Sequence, residues 1–152
     1  MASNLRLLSA QAYKLPSKVL ADRFSAKALL VTSNKKILLL QKPSGKWDLP
    51  GGKLKGGEGW IDGLRREVYE ESGLKIKQAE WLTGWPQGRA TNKQILKGFF
   101  LCLLDNKANK YSIALSREHI GSKFCSLDRV GDHLPQEKYA VTLRYAARKL
   151  QN

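Results

Sequence analysis

The apolar positions of the chain fall into two repeating patterns separated by polar breaks. Leucine-rich and β-branched runs at Ser25–Thr32 and Lys36–Lys42 flank Ser33 and Asn34, and two such runs across a short polar break predict a β-hairpin. Pro43, Ser44 and Gly45 end the second run, and Lys46–Leu49 leads into a glycine-rich loop. From about Trp60 to Ser72 the period changes to that of a helix, with Ile61, Leu64 and Val68 on one stripe. Strands are expected again at Leu74–Gly84 and Leu96–Leu104, separated by the polar loop Trp85–Asn92. Further strands are expected at Tyr111–Leu115 and Lys123–Leu127, on either side of a loop that contains Glu118. Tyr139, Ala140, Leu143, Ala147 and Leu150 recur at helical spacing, so about Gln136 to Leu150 should be a C-terminal helix packed on the sheet. Residues 1 to about 23, with Pro16 among polar neighbours, suggest an extended arm packed on the domain. Strands on both sides of a helix, with a second helix at the end, predict an α/β fold in which helices sandwich a mixed sheet.

The Trp60–Ser72 helix carries more than a packing stripe. Glu67, Glu70 and Glu71 share an arc of roughly 100° beside the apolar one at 3.6 residues per turn. Like charges three and four residues apart weaken a helix by a few tenths of a kcal/mol per pair, so a stack of this kind calls for a compensating cation. Carboxylate oxygens suit Mg²⁺ or Mn²⁺, which keep several waters and share their remaining positions with substrate phosphates. Taken alone, three glutamates equally describe a solvated acidic face. In the preceding loop Gly51, Gly52, Gly56, Gly57 and Gly59 allow positive φ and close approach of main chain to a bound diphosphate. Gly59 is a weak N-cap with Asp62 in the first turn, Gly63 suggests a close contact, and Gly73 reads as the left-handed residue that stops the helix.

The spacing from Gly52 to Glu58, then to Arg66 and Glu67, Val68, Glu70 and Glu71, and Gly73 and Leu74 resembles the Nudix box at every defined position. Such a pattern recurs by chance in roughly one window in 10^8 at ordinary residue frequencies. The resemblance implies a Nudix α/β/α sandwich that uses water and a divalent metal to hydrolyse a nucleoside diphosphate linked to another moiety. It implies Glu70 and Glu71 as metal ligands, Glu67 as either the base that activates water or a further ligand, and Glu58 as support for the metal shell. The Gly52 carbonyl is a further candidate ligand, and Arg66 would pair with a box glutamate and hold it in place. Relatives often add a carboxylate from a loop well after the box, and Glu118, six residues before Phe124, matches it best. His119 lies beside it. Lys42 and Lys53 flank the glycine loop, and Arg89 lies in the loop expected to cover the substrate; these three are the candidate phosphate contacts. Two positions depart from the common pattern: Lys55 stands where many relatives carry an acid, and the helix begins Gly59-Trp60 rather than with a capping Ser or Thr. The lead-in from Lys46 to Lys53 is of the MutT-like type. Signatures of relatives acting on NADH, coenzyme A or ADP-ribose are absent, as is the tyrosine that often follows the box in diadenosine polyphosphate hydrolases.

Composition adds two things. At 152 residues, with 42% hydrophobic and 26% charged residues, the chain reads as one soluble domain without a membrane span. The N-terminus makes a poor signal peptide, so the cytoplasm is the expected compartment. Cys102 and Cys125 lie in apolar runs far apart and read as buried thiols. The formal net charge of +14, from 27 Lys and Arg scattered along the chain, favours capture of polyanions. It fits a nucleoside triphosphate, a dinucleoside polyphosphate or another phosphate-rich substrate, and it fits nucleic acid or simple solubility equally well. An RNA-binding or RNA 5′-end-processing role, or a non-catalytic scaffold on the same fold, is the alternative to an active pyrophosphohydrolase.

Overall fold

The computed structural model describes residues 23–87, 95–104, 112–134 and 137–151. The hairpin forms as the polar break predicts: β1 (Phe24–Val31) and β2 (Lys36–Gln41) are antiparallel, joined by a turn in which Lys35 takes a φ of 60°. The lead-in is more regular than its sequence suggests. Trp47–Asp48 is a short strand, β3, against β2, and Gly51–Lys53 is another, β4, against β1. After helix α1 (Trp60–Ser72) come β5 (Ile76–Gln87), β6 (Ile95–Leu104) and β7 (Gly121–Ser126). A turn of 3₁₀ helix at Leu127–Arg129 and a short helix α2 (Val130–His133), neither expected, precede the C-terminal helix α3 (Glu137–Gln151).

The seven strands form one mixed sheet. β1 runs parallel to β6 from Phe24↔Leu96 to Val31↔Leu103, and the other pairings are antiparallel. All eight residues of β1 are buried, as a central strand covered on both faces must be. Alternation divides its side chains. Ala26, Ala28 and Leu30 join Leu64 and Val68 of α1 with Phe100 and Cys102 in one core, while Leu29 and Val31 join Phe99, Leu101, Tyr139 and Ala146 in a second core under α3. The predicted sandwich, helices on both faces of a mixed sheet, is therefore the observed one. Both cysteines are free and buried.

One expected strand is not formed. Residues 112–115 are irregular, with Tyr111 outside the described residues. The reason is a better partner than a sheet edge: the amides of Ala114 and Ser116 donate to the carbonyls of Ser72 and Glu71 (2.9 and 3.3 Å). The last carbonyls of a helix have no partner within it, and this segment supplies one. The expected N-terminal arm lies, apart from Arg23, outside the described residues, as do residues 88–92 of the expected loop Trp85–Asn92; its first three residues, Trp85, Pro86 and Gln87, are not loop but extend β5, paired with Lys97, Leu96 and Ile95 of β6. Among the described residues no helix is long and apolar enough to cross a membrane.

Candidate active site

Helix α1 owes its placement to its two ends. Gly73 sits at φ 74°, in the left-handed region, and its amide returns to the Tyr69 carbonyl, which stops the helix where the sequence predicts. At the other end Gly59 caps without a side chain. Leu64 and Val68 are fully buried against β1, which turns Glu67, Glu70 and Glu71 toward the glycine loop. The loop comes very close. A Cβ on Gly52 would lie 2.7 Å from the Glu67 carboxylate, and Gly51, at φ 134°, would place one 2.0 Å from the Ala26 carbonyl. Glycine is required at Gly51, where β1 backbone leaves no room and φ is positive; at Gly52 a side chain would have to displace the Glu67 carboxylate.

Between these elements lies a cleft of about 640 Å³ lined by Gly51, Gly52, Lys53 and Lys55, by Arg66, Glu67, Glu70 and Glu71, and by Ser116, Arg117 and Glu118. It brings together seven of the residues singled out from sequence: Gly52, Lys53, Arg66, Glu67, Glu70, Glu71 and Glu118. Glu118 is carried there by the segment tied to the end of α1. Glu58 is not on the wall but behind it, and His119 turns to the Ser116 hydroxyl (3.4 Å) instead of lining the cleft. Lys42 points elsewhere, to Asp48 (3.2 Å). Arg89 lies outside the described residues. Ser116 and Arg117 carry no motif and were not expected; their only sequence signal is adjacency to Glu118.

The carboxylates of the site are held by one guanidinium. Arg66 forks onto Glu58 through Nε (2.7 Å) and Nη2 (3.0 Å), and its Nη1 reaches Glu67 (3.0 Å) and Glu70 (3.1 Å) while Nη2 also donates to the Lys53 carbonyl (3.2 Å). This bond to Arg66 holds the Glu58 carboxyl below its usual range against a smaller burial penalty, and it raises the Arg66 pKa still further. Glu71 faces the other way. It is 6% exposed and accepts the Gly51 amide at 3.1 Å. Burial pushes its carboxyl up to about 7, and the Gly51 hydrogen bond and Lys27 offset this only in part.

Among the described residues no three His, Cys, Asp or Glu side chains are arranged, as they stand, to hold a metal ion. Glu67 and Glu70 are instead bonded to Arg66. The chemistry of the donors nevertheless fits a hard cation, since Glu67, Glu70, Glu71 and Glu118 all face one cleft. Glu71, moreover, is a buried carboxyl that a neighbouring cation would return to its charged form.

A mixed sheet between helices, with an arginine-braced row of glutamates facing a glycine loop, is the arrangement that the resemblance of the Gly52–Leu74 segment implies. The NUDIX domain profile matches residues 22–146, and the chain belongs to that family. Nudix hydrolase 7 of Arabidopsis thaliana is 33% identical over 102 residues, 62% of this chain and 36% of that protein. The uncharacterized Nudix hydrolase YvcI of Bacillus subtilis is 46% identical over 48 residues, 31% of this chain and 30% of that protein. The matched part of the chain thus spans about a third of the length of these relatives. Among solved structures, a MutT protein from Methanosarcina mazei superposes with a TM-score of 0.69 at 27% identity, covering 83% of this chain and 94% of that one. A C. elegans Ap4A hydrolase gives 0.69 at 23% identity, covering 84% and 97%, which shows the shared fold. Nudix hydrolases generally use divalent cations.

Proposed function

We propose that this protein is a pyrophosphohydrolase, dependent on Mg²⁺ or Mn²⁺, that cleaves a diphosphate linkage in a phosphate-rich nucleotide derivative. One observation carries the reading: four carboxylates, Glu67, Glu70, Glu71 and Glu118, share a cleft of about 640 Å³ with four cationic side chains, Lys53, Lys55, Arg66 and Arg117. Carboxylates alone would repel a polyphosphate, and cations alone would bind it without activating water.

In this reading Glu70 and Glu71 are ligands, the Gly52 carbonyl and Glu118 complete the set, and Glu58 holds Arg66 in place. Bound there, a divalent cation would neutralise charge on the phosphates and lower the pKa of a water. Glu67 either takes the proton of the attacking water or completes the ligand set, and Arg66 releases Glu67 and Glu70 while staying locked to Glu58. Lys53, Lys55 and Arg117 hold the substrate phosphates. Water adds to one phosphorus as the bridging P–O bond breaks, giving two phosphate products. The MutT and Ap4A hydrolase folds among the structural relatives, together with the +14 charge, favour nucleoside triphosphates and dinucleoside polyphosphates as the substrates to test first.

The test is product release from a panel of nucleoside triphosphates, dinucleoside polyphosphates, nucleotide sugars and inositol pyrophosphates, with Mg²⁺, with Mn²⁺ and with EDTA. EDTA-sensitive turnover of one class is the expected result. No turnover by folded protein would shift the reading to the second one, an RNA-binding or RNA-end-processing protein, which the net charge favours; that reading requires RNA affinity that falls with log salt.

A further inference from the structure

In the middle of β1, between Ala26 and Ala28, a lysine is buried. Lys27 is 8% exposed, and its ammonium donates to the Asp48 carboxylate (3.0 Å) and to the backbone carbonyls of Leu49 (3.2 Å) and Gly51 (3.4 Å). Asp48 is satisfied several times over: it also pairs with Lys42 (3.2 Å), accepts the Leu49 amide (2.8 Å) and accepts the Tyr139 hydroxyl from α3 (3.4 Å). Stability alone does not call for this lysine, because an apolar side chain of similar volume commonly replaces a buried ion pair at no cost. What an apolar side chain cannot do is donate hydrogen bonds to two loop carbonyls.

Those carbonyls flank Pro50, which has no amide to anchor the turn. The Pro50 carbonyl is taken by the Ala28 amide (2.9 Å), so three consecutive carbonyls, those of residues 49, 50 and 51, are fixed by two adjacent residues of β1. The amide of the same Gly51 holds Glu71 (3.1 Å), and Gly52 lies against the Glu67 carboxylate. Lys27 is therefore one residue removed from Glu71, through Gly51, and two from Glu67, through Gly51 and Gly52, at the point where the chain leaves Pro50 and enters β4.

We propose that Lys27 is a positioning residue: by pinning the Leu49 and Gly51 carbonyls, its ammonium fixes where the chain enters β4 at Gly51 and Gly52, and through them the placement of Glu71 and Glu67. The kinetic part of this proposal rests on the hydrolase reading above; the structural part does not. Lys27→Met keeps the volume and removes the donors, and Asp48 keeps Lys42. With the substrate that wild type turns over, kcat should fall roughly 10- to 100-fold with KM little changed, the size expected when reacting groups are misplaced by about an ångström. Lys27→Gln, which retains a donor, should recover part of the loss.

Amide exchange supplies a readout independent of activity. In Lys27→Met the Gly51 amide should lose protection while core amides of β1 and β6 keep theirs. Unchanged kcat with unchanged Gly51 protection would overturn the proposal, as would an equal loss of protection throughout the sheet, which would make Lys27 a general structural residue. If Lys27→Met fails to fold, Lys27→Gln carries the test, and wild-type protection and kcat in that variant with the Leu49 and Gly51 carbonyl shifts displaced would overturn it equally. A wild type inactive on every substrate would remove the hydrolase reading and leave the exchange experiment standing.

Discussion

The Arg66 and Lys27 networks brace the same glycine loop, yet they differ in reach and in contact with water. Arg66 gathers acids from its own helix and from Glu58, eight residues away, and its side chain is 21% exposed with Glu70 at 52%. Lys27 joins residues 21 and more apart in sequence, and Asp48 beyond it is bonded to Tyr139, 91 residues further on. The first network is wet and made of several exchangeable bonds; a cation entering the cleft competes with it directly. The second is dry at Lys27 and Asp48, with only its Lys42 arm half exposed, and none of its partners lines the cleft except Gly51. A site that must accept a metal and a polyanion while keeping its shape needs both kinds of support: carboxylates free to change partners, and a loop that cannot.

The largest effects should come from the carboxylates themselves. Glu70→Gln and Glu71→Gln are expected to lower turnover by roughly 10²- to 10⁴-fold with the circular dichroism spectrum unchanged; full activity in both would reject the assignment. The two variants should part company in stability. The side-chain carbonyl introduced by Glu71→Gln would still accept the Gly51 amide and would bury no charge, so in EDTA this variant should melt at or above the wild-type temperature. An acid whose folded pKa is raised costs stability above its unfolded pKa, and the neutral amide removes that cost.

Asp48→Asn tests the dry network. Removing one partner of a buried pair leaves an uncompensated charge, here Lys27, and should cost roughly 3 kcal/mol at neutral pH. The pH dependence has a definite sign. Burial raises the Asp48 pKa, but Lys27 and then Lys42 and Lys97 outweigh it, so the folded value lies below the ordinary one. The contribution is present above the unfolded pKa, near 4, and disappears as pH falls through the lowered folded value. Urea midpoints of wild type and variant should therefore converge on acidification below about pH 4. A gap that persists would mean that the aspartate acts as a neutral acceptor only. Arg66→Gln, its wet counterpart, should cost only about 1 kcal/mol in stability, because its pairs remain in contact with solvent. Its turnover should fall by at least about tenfold as Glu58 and the Lys53 carbonyl lose the guanidinium that ties them to α1.

The same contrast explains what could be read from the sequence. The box, helix α1, its left-handed stop at Gly73 and the hairpin were legible because each is specified within a few residues, where periodicity and spacing report geometry directly. Strands β3 and β4 were not, because Trp47–Asp48 and Gly51–Lys53 have no strand pattern of their own and exist only through pairing with β2 and β1. The expected strand at residues 112–115 failed for a related reason: its apolar pattern was real, with Ile113 packed on the core, but its backbone partner is a helix end. Lys42 was expected at phosphate and is spent on Asp48. The one available hint of the dry network was a single charge, Lys27, inside an apolar run.

The smallest predicted effect concerns how α1 meets the loop. Gly63 lies inside the helix, where Ala would ordinarily gain about 1 kcal/mol. A Cβ there would stand 2.2 Å from Leu54 Cδ2 and 2.9 Å from Glu58 Oε1. Leu54 is 4% exposed and packed into the core beneath α1, so it has little room to withdraw, and overpacking of this kind costs roughly 1–3 kcal/mol. Gly63→Ala should thus be net destabilising by about 1 kcal/mol, with Glu58 pushed on its bonds to Arg66. Gly56→Ala is the control on the same loop. Its Cβ would meet nothing within 4 Å and its φ is not positive, so it should be neutral or stabilising by about 0.5 kcal/mol through the unfolded chain. Equal melting temperatures for the two variants would show that the helix can shift away from the loop, and that the contact between Leu54 and Gly63 does not set the position of the glutamates.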